Sequence, residues 1–208
     1  MKIYSTKRGF TMTELLTVIA VIGLLAALLF PAIKNSIRHA EIRKAQLAIT
    51  ELQTAFKAYY TEYGKWPATS LTTGGGIMCT TNWMVALLRG ENKTGQDLAM
   101  AGVQYNGNPR QIVFMEFKNE DLVIDAANNV TNLVDPWKGL YEFTFDITYS
   151  GVSQNPFEQS LLPPNQKVVH SDVLVWSKGP DGQESSLFST TTPAGDGVGV
   201  NEDNVKSW

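Results

Sequence analysis

The sequence predicts an α+β chain: one long helix near its start, packed over its second half on a small antiparallel β-sheet, with a long loop after the last strand. Three observations carry this. An uncharged, apolar run extends from Leu15 to Ile33. Beyond it, Ala45, Ala48, Ile49, Leu52, Ala55, Phe56, Tyr59 and Tyr63 recur at steps of three and four, the spacing of one helix face. Farther on, Tyr141, Phe143, Phe145, Ile147 and Tyr149 alternate with Glu142, Thr144, Asp146 and Thr148, the period of a strand covered on one side.

At about 1.5 Å per residue the run from Leu15 to Ile33 spans roughly 28 Å, close to the hydrocarbon thickness of a bilayer. Lys2, Lys7 and Arg8 precede it with no acidic residue among them, which predicts a cytoplasmic N-terminus and an exported head. A secretory signal would be cut after its apolar core, at a small-residue site, and no such site follows Ile33. The unusual junction is Gly9-Phe10, ahead of the core. A cut there removes a basic leader, residues 1–9, and leaves the membrane helix in place.

Lys34 to Tyr63 holds neither proline nor glycine and should continue the helix. Gly64 suits its C-cap and Pro67 blocks continuation, so a helix from Phe10 to Tyr63 would be roughly 80 Å long. Pro31 lacks the N–H that the carbonyl of Ala27 would accept, so a kink or local opening is expected there; Gly23 weakens the turns before it. Arg38, Glu41, Arg43, Lys44, Glu51 and Lys57 fall mostly off the apolar stripe, on a solvated or intersubunit face.

In the head, residues 64–208, Asn82 can cap a short helix through Leu88 that Gly90 ends. The glycines at 74–76 match neither the Walker spacing nor the dinucleotide fingerprint. Strands are expected at Gln111 to Phe117, Leu122 to Ile124, Tyr141 to Tyr149 and Val168 to Trp176. With 208 residues, 43% hydrophobic and 18% charged, the chain accommodates one extended helix and one modest domain. Its net charge of −3 offers no basic footprint, and no nucleic-acid partner is expected. The single cysteine, Cys79, cannot close an intrachain disulfide and is expected to be buried. His39, His170 and Cys79 form no convincing triad or zinc set, so no catalytic residue is expected.

Gly9-Phe10-Thr11-Met12-Thr13-Glu14-Leu15-Leu16 resembles the class III signal of type IV pilins and type II secretion pseudopilins. The resemblance implies a pilin-like fold, cleavage after Gly9 by a membrane prepilin peptidase, and methylation of the new amino terminus at Phe10. It makes Glu14 the fifth mature residue, whose carboxylate would neutralise the Phe10 ammonium of an adjacent subunit; Gly23 and Pro31 also match the family pattern. A carboxylate costs about 2.5–3.5 kcal/mol at a bilayer centre and less near an interface, so Glu14 by itself reads either as a flank of the span or as an assembly charge.

A second resemblance lies in Asp135-Pro136-Trp137, in Ser177-Lys178-Gly179-Pro180-Asp181-Gly182 and in the run Glu202 to Trp208, which look like the major pseudopilin of type II secretion. By match, a calcium ion would be held by the Asp181 and Asp203 side chains, the Asn204 position and the carbonyls of Lys178 and Ser207, within the loop 177–208. Asn204 replaces the usual aspartate, and Gln183 to Val200 is longer than the pattern expects. Asp196 and Glu202 are substitute oxygen donors of the kind calcium takes.

The function implied is that of a structural subunit of a secretion pseudopilus, bound to membrane lipid before assembly and then polymerised through its helix. Its partners would be itself, the prepilin peptidase, an inner-membrane assembly platform and other pseudopilins. Its place would be the bacterial inner membrane, with the head periplasmic, and then the filament. A type IV pilin or minor pilin for adhesion, motility or DNA uptake shares the N-terminus. A membrane-anchored monomeric binding protein or enzyme is the third reading.

Overall fold

The computed structural model describes residues 10–70, 77–91, 103–124, 130–157, 167–182 and 204–208. The chain divides into two compact units, Met1–Glu41 and Ile42–Trp208. Helix α1, Met12–Tyr63, contributes to both. Its bounds match the sequence expectation at the C-terminal end, where Gly64 takes a positive φ of 66° and donates its N–H to the Tyr60 carbonyl at 2.8 Å. That is a left-handed helix stop that glycine adopts without strain. The helix is assigned without a break across Gly23 and Pro31, so the opening expected near Pro31 is not seen.

In the first unit the helical side chains from Met12 to Phe30 are exposed along every face. This stretch is long and apolar enough to cross a membrane. An all-round apolar helix with nothing packed on it needs lipid or another chain as its surroundings.

The second unit is built on the stripe read from the sequence. Ala45, Ile49, Leu52, Ala55, Phe56 and Tyr59 are fully buried, with Ala48 and Tyr63 at the margins. They face an antiparallel sheet in the order β10-β9-β6-β2, made of Val205–Lys206, Val173–Ser177, Glu142–Phe145 and Met78–Cys79. The Phe56 ring meets Phe143 at 4.9 Å and Phe145 edge-on at 5.1 Å. Trp66, buried just past the helix, stacks on Phe145 at 5.0 Å and donates its indole N–H to the Asp146 carbonyl. Three further strand pairs surround this sheet: β1 with β3 (Ala68–Ser70, Val103–Tyr105), β4 with β5 (Leu122–Ile124, Val130–Leu133), and β7 with β8 (Ser153–Gln154, Val168–Val169).

Several sequence expectations are corrected. Gln111 to Phe117 is not a strand: the N–H groups of Phe114 and Met115 both go to the Leu88 carbonyl at 2.8 and 3.3 Å. The segment thus satisfies an orphan acceptor at the end of helix α2, Asn82–Leu88, instead of a sheet ladder. Asn82 is the first residue of α2, not its cap, which is Thr81. The aromatic strand stops at Phe145 because the Asp146 carboxylate gathers the Thr148 and Gly151 N–H groups and the Thr148 and Ser150 hydroxyls, an Asx-type turn that ends the ladder. The expected last strand splits in two, since β8 pairs with β7 and β9 with β6, with the break at 170–172.

Nor does the sheet keep a polar outer face. All of β6 and β9 is buried, because Phe157, Leu174 and Trp176 form a second cluster against which the Trp208 ring packs. Cys79 is half-buried, with its Sγ 3.9 Å from Glu142 Oε1.

Candidate functional site

Two places carry the residues singled out from the sequence. The first is the start of α1. Leu15 N–H closes the first helical bond to the Thr11 carbonyl at 3.2 Å. Thr11 donates both its N–H (2.9 Å) and its hydroxyl (2.8 Å) to Glu14 Oε2, and the Glu14 N–H returns to the Thr11 hydroxyl at 3.2 Å. This is a reciprocal capping box, Thr-x-x-Glu, which satisfies helix donors that would otherwise face the surroundings unpaired. The Thr11–Glu14 spacing was visible in the sequence, but the glutamate was read only for its charge.

Both bonds to Glu14 use one carboxylate oxygen, and the residue is fully exposed at the helix start. Chemically this presents a fixed acceptor to an approaching ammonium at the end of an apolar rod. Phe10 is three-quarters exposed. Gly9, the other half of the junction, lies outside the described residues.

The second place is the end of β9. Ser177 is buried, and its hydroxyl donates to Asp135 Oδ2 at 2.5 Å while accepting the Gly179 N–H at 3.1 Å. Asp135 Oδ1 takes the Trp137 and Gly139 N–H groups at 3.0 and 2.7 Å. Burial pushes the Asp135 carboxyl above its ordinary value, opposed by these donors. The two motifs read separately in the sequence, Asp135-Pro136-Trp137 and Ser177 to Gly182, are therefore one hydrogen-bonded unit. Gly139 packs tightly there: an added Cβ would sit 3.0 Å from Asp135 Oδ2, so the carboxylate would have to shift by a few tenths of an ångström.

Among the expected ion ligands, the β9–β10 register pairs Val205 with Ser177 and Lys206 with Trp176. Extending that antiparallel register by one residue sets Asn204 across from Lys178, next to the turn carrying Asp181. Asn204 is buried and Asp181 exposed. The Lys178 ammonium turns away to Glu142 Oε1 at 3.0 Å. Ser207 is at the other end: its N–H bonds the Val175 carbonyl at 3.0 Å and its hydroxyl takes the Val175 N–H. It lies three residues past Asn204, at most roughly 10 Å along an extended chain at about 3.3 Å per residue. Asp203, Asp196 and Glu202 lie outside the described residues. Among the described residues, no three His, Cys, Asp or Glu side chains converge. His39 and His170 are both exposed, one on α1 and one between β8 and β9.

Residues 4–30 match the prokaryotic N-terminal methylation motif. The chain is 37% identical over 68 residues to a type IV major pilin protein of Neisseria gonorrhoeae, covering 33% of this chain and 41% of that one. It is 35% identical over 76 residues to a fimbrial protein of Neisseria meningitidis, 36% and 44% of the two chains. Against the type II secretion system core protein G of Pectobacterium carotovorum it is 33% identical over 63 residues, 30% and 40% of the two. The chain thus spans about two fifths of the length of the curated relatives it matches. No solved structure matches it. Over its N-terminal third the chain is similar to type IV pilins and pseudopilins, and its capped apolar helix and α+β head are in keeping with that likeness.

Proposed function

We propose that this chain is a filament subunit, held in the membrane by the first half of α1 and polymerised through that same helix. The observation that carries this is the helix from Met12 to Phe30, apolar and exposed on all faces, with a single carboxylate at its entrance fixed by Thr11. Lipid covers such a surface before assembly, and the helices of other copies cover it afterwards. Prepilin peptidase would cut between Gly9 and Phe10, and methylation would follow at Phe10. The new ammonium would then meet Glu14 of a neighbouring copy, since opposite charges leaving water together must be paired.

Of the two filament types, the secretion pseudopilus is favoured by the unit formed from Asp135, Trp137, Ser177 and Gly179, which lies at the base of the 178–182 turn. The likeness to Neisseria pilins favours the second reading, a surface pilus. Both readings make the chain a structural subunit, in keeping with its relatives.

Calcium is the ion that the tail resemblance implies. The donors at Asp181, Asn204 and the Lys178 carbonyl are hard oxygens of the type it takes, and Asp203 adjoins them in sequence. An ion held there would cross-link the turn to the edge strand, and millimolar calcium should raise the melting temperature; no shift would remove calcium from this reading.

Assembly is tested by Glu14→Ala in cells that process the wild-type chain. The variant should remain in the membrane fraction and yield no sheared filaments. Filaments at the wild-type level would overturn the pairing of Phe10 with Glu14.

A further inference from the structure

A cleft of about 400 Å3 lies along one flank of α1 in the second unit, walled on its far side by the segment 114–118. Its floor includes Ala48, Phe114, Phe117 and Leu133, and Leu47, 57% exposed, forms an apolar lip. Glu51, Glu116 and Asp121 line it against Lys44 and Lys118. Lys44 is already engaged, 2.7 Å from Asp121 and 3.2 Å from Glu120. Among the described residues neither Glu51 nor Glu116 forms an ion pair. The cleft is therefore apolar inside with an acidic excess at its rim.

The complement stands on the chain's own helix. At the end of the membrane-length stretch and one turn beyond it, Ile33 and Ile37 are 54% and 55% exposed on one face of α1. Lys34 and Arg38, also exposed, form the neighbouring row, and no ion pair holds either among the described residues. The Lys34 ammonium lies over the Phe30 ring at 4.7 Å, which keeps its stem along the helix. The helix thus carries an apolar ridge beside a row of two cations.

We propose that the cleft of one copy receives the Ile33–Ile37 ridge of a second copy, with Arg38 directed to Glu51 or Glu116. This rests on the reading of the chain as a filament subunit and specifies a lateral contact for it. The ridge fills apolar volume that water otherwise occupies, and the cations face carboxylates that form no ion pair among the described residues.

The spacing separates this contact from the one at Glu14. For parallel helices, a ridge at 33–38 entering a cleft at 44–55 demands an axial offset of roughly 20 Å at about 1.5 Å per residue. Pairing Phe10 with Glu14 demands only about 6 Å by the same rise. The two contacts therefore join a copy to different neighbours, and both propagate head-to-tail without closing.

The test is disulfide trapping in the full chain carrying Cys79→Ser, Ile37→Cys and Leu47→Cys. Within one chain these two positions are about 15 Å apart along α1, beyond the roughly 7 Å reach of a disulfide, so any bond between them joins two copies. Oxidised filaments should give a ladder of covalent multimers, and each single cysteine no more than a dimer. Filaments without a ladder overturn the contact and leave the filament reading standing; a wild-type chain that forms no filaments overturns both. An independent arm uses Arg38→Glu and Glu51→Lys: each alone should lower filament yield several-fold, and together they should restore it. Lack of restoration, with a parallel failure for Arg38→Glu with Glu116→Lys, also overturns the contact.

Discussion

The bond from Ser177 to Asp135 gives the sharpest quantitative expectation. Ser177→Ala removes a hydroxyl that donates to a buried carboxylate at 2.5 Å and accepts the N–H of Gly179 at 3.1 Å. A hydrogen bond to a charged group is worth about 1.5–3 kcal/mol, and a neutral one about 1 kcal/mol. The loss should total roughly 3 kcal/mol, or about 6–12 °C in Tm for a domain of this size. The assay is thermal melting of the full chain in detergent, with Asp135→Asn and the double variant completing a thermodynamic cycle. The pH dependence has a definite sign. Burial raises the Asp135 carboxyl and the Ser177 hydroxyl opposes the rise, so Ser177→Ala raises it further. The deficit of the variant should be full where Asp135 is charged and shrink as acid protonates it. A strictly additive cycle, or a deficit that does not change with pH, would refute the proposed coupling between the two motifs.

Phe56→Ala should cost about 3–5 kcal/mol, read by denaturant titration, because its ring packs between Phe143 and Phe145. Gly90→Ala should lower Tm measurably. Its φ is 79° and the new Cβ would meet the Gln111 carbonyl oxygen at 2.7 Å, which loosens the 111–117 segment against α2. Lys178→Met removes the ammonium 3.0 Å from the buried Glu142 and should cost on the order of 2 kcal/mol, checked by melting at neutral pH. Thr11→Ala should leave the head's Tm unchanged and lower filament yield, since the bonds it removes are those that hold Glu14 in place.

The long helix was legible in sequence because its signals are local. Apolar composition over 15–33, three-and-four spacing over 45–63 and a glycine stop are properties of neighbouring residues, and α1 ends at Tyr63 as they require. The strand β6 and the short helix α2 were legible for the same reason. The segment 111–117 was not, because its short apolar run Ile112 to Met115 suits a strand, yet the acceptor it satisfies is Leu88, across the turn at Gly90.

Charge and function divide in the same way. The junction Gly9-Phe10, the membrane-length run and Glu14 are contiguous, so the sequence alone carries the likeness to the family. Only the tertiary structure decided that Asp135 and Ser177, 42 positions apart, share a hydrogen bond. It also decided that Ser207 bonds the Val175 backbone and that an acidic-rimmed apolar cleft lies beside α1. The physical reason is that strand register and loop packing are set by which distant surfaces meet, and periodicity along the chain carries no information about that partner.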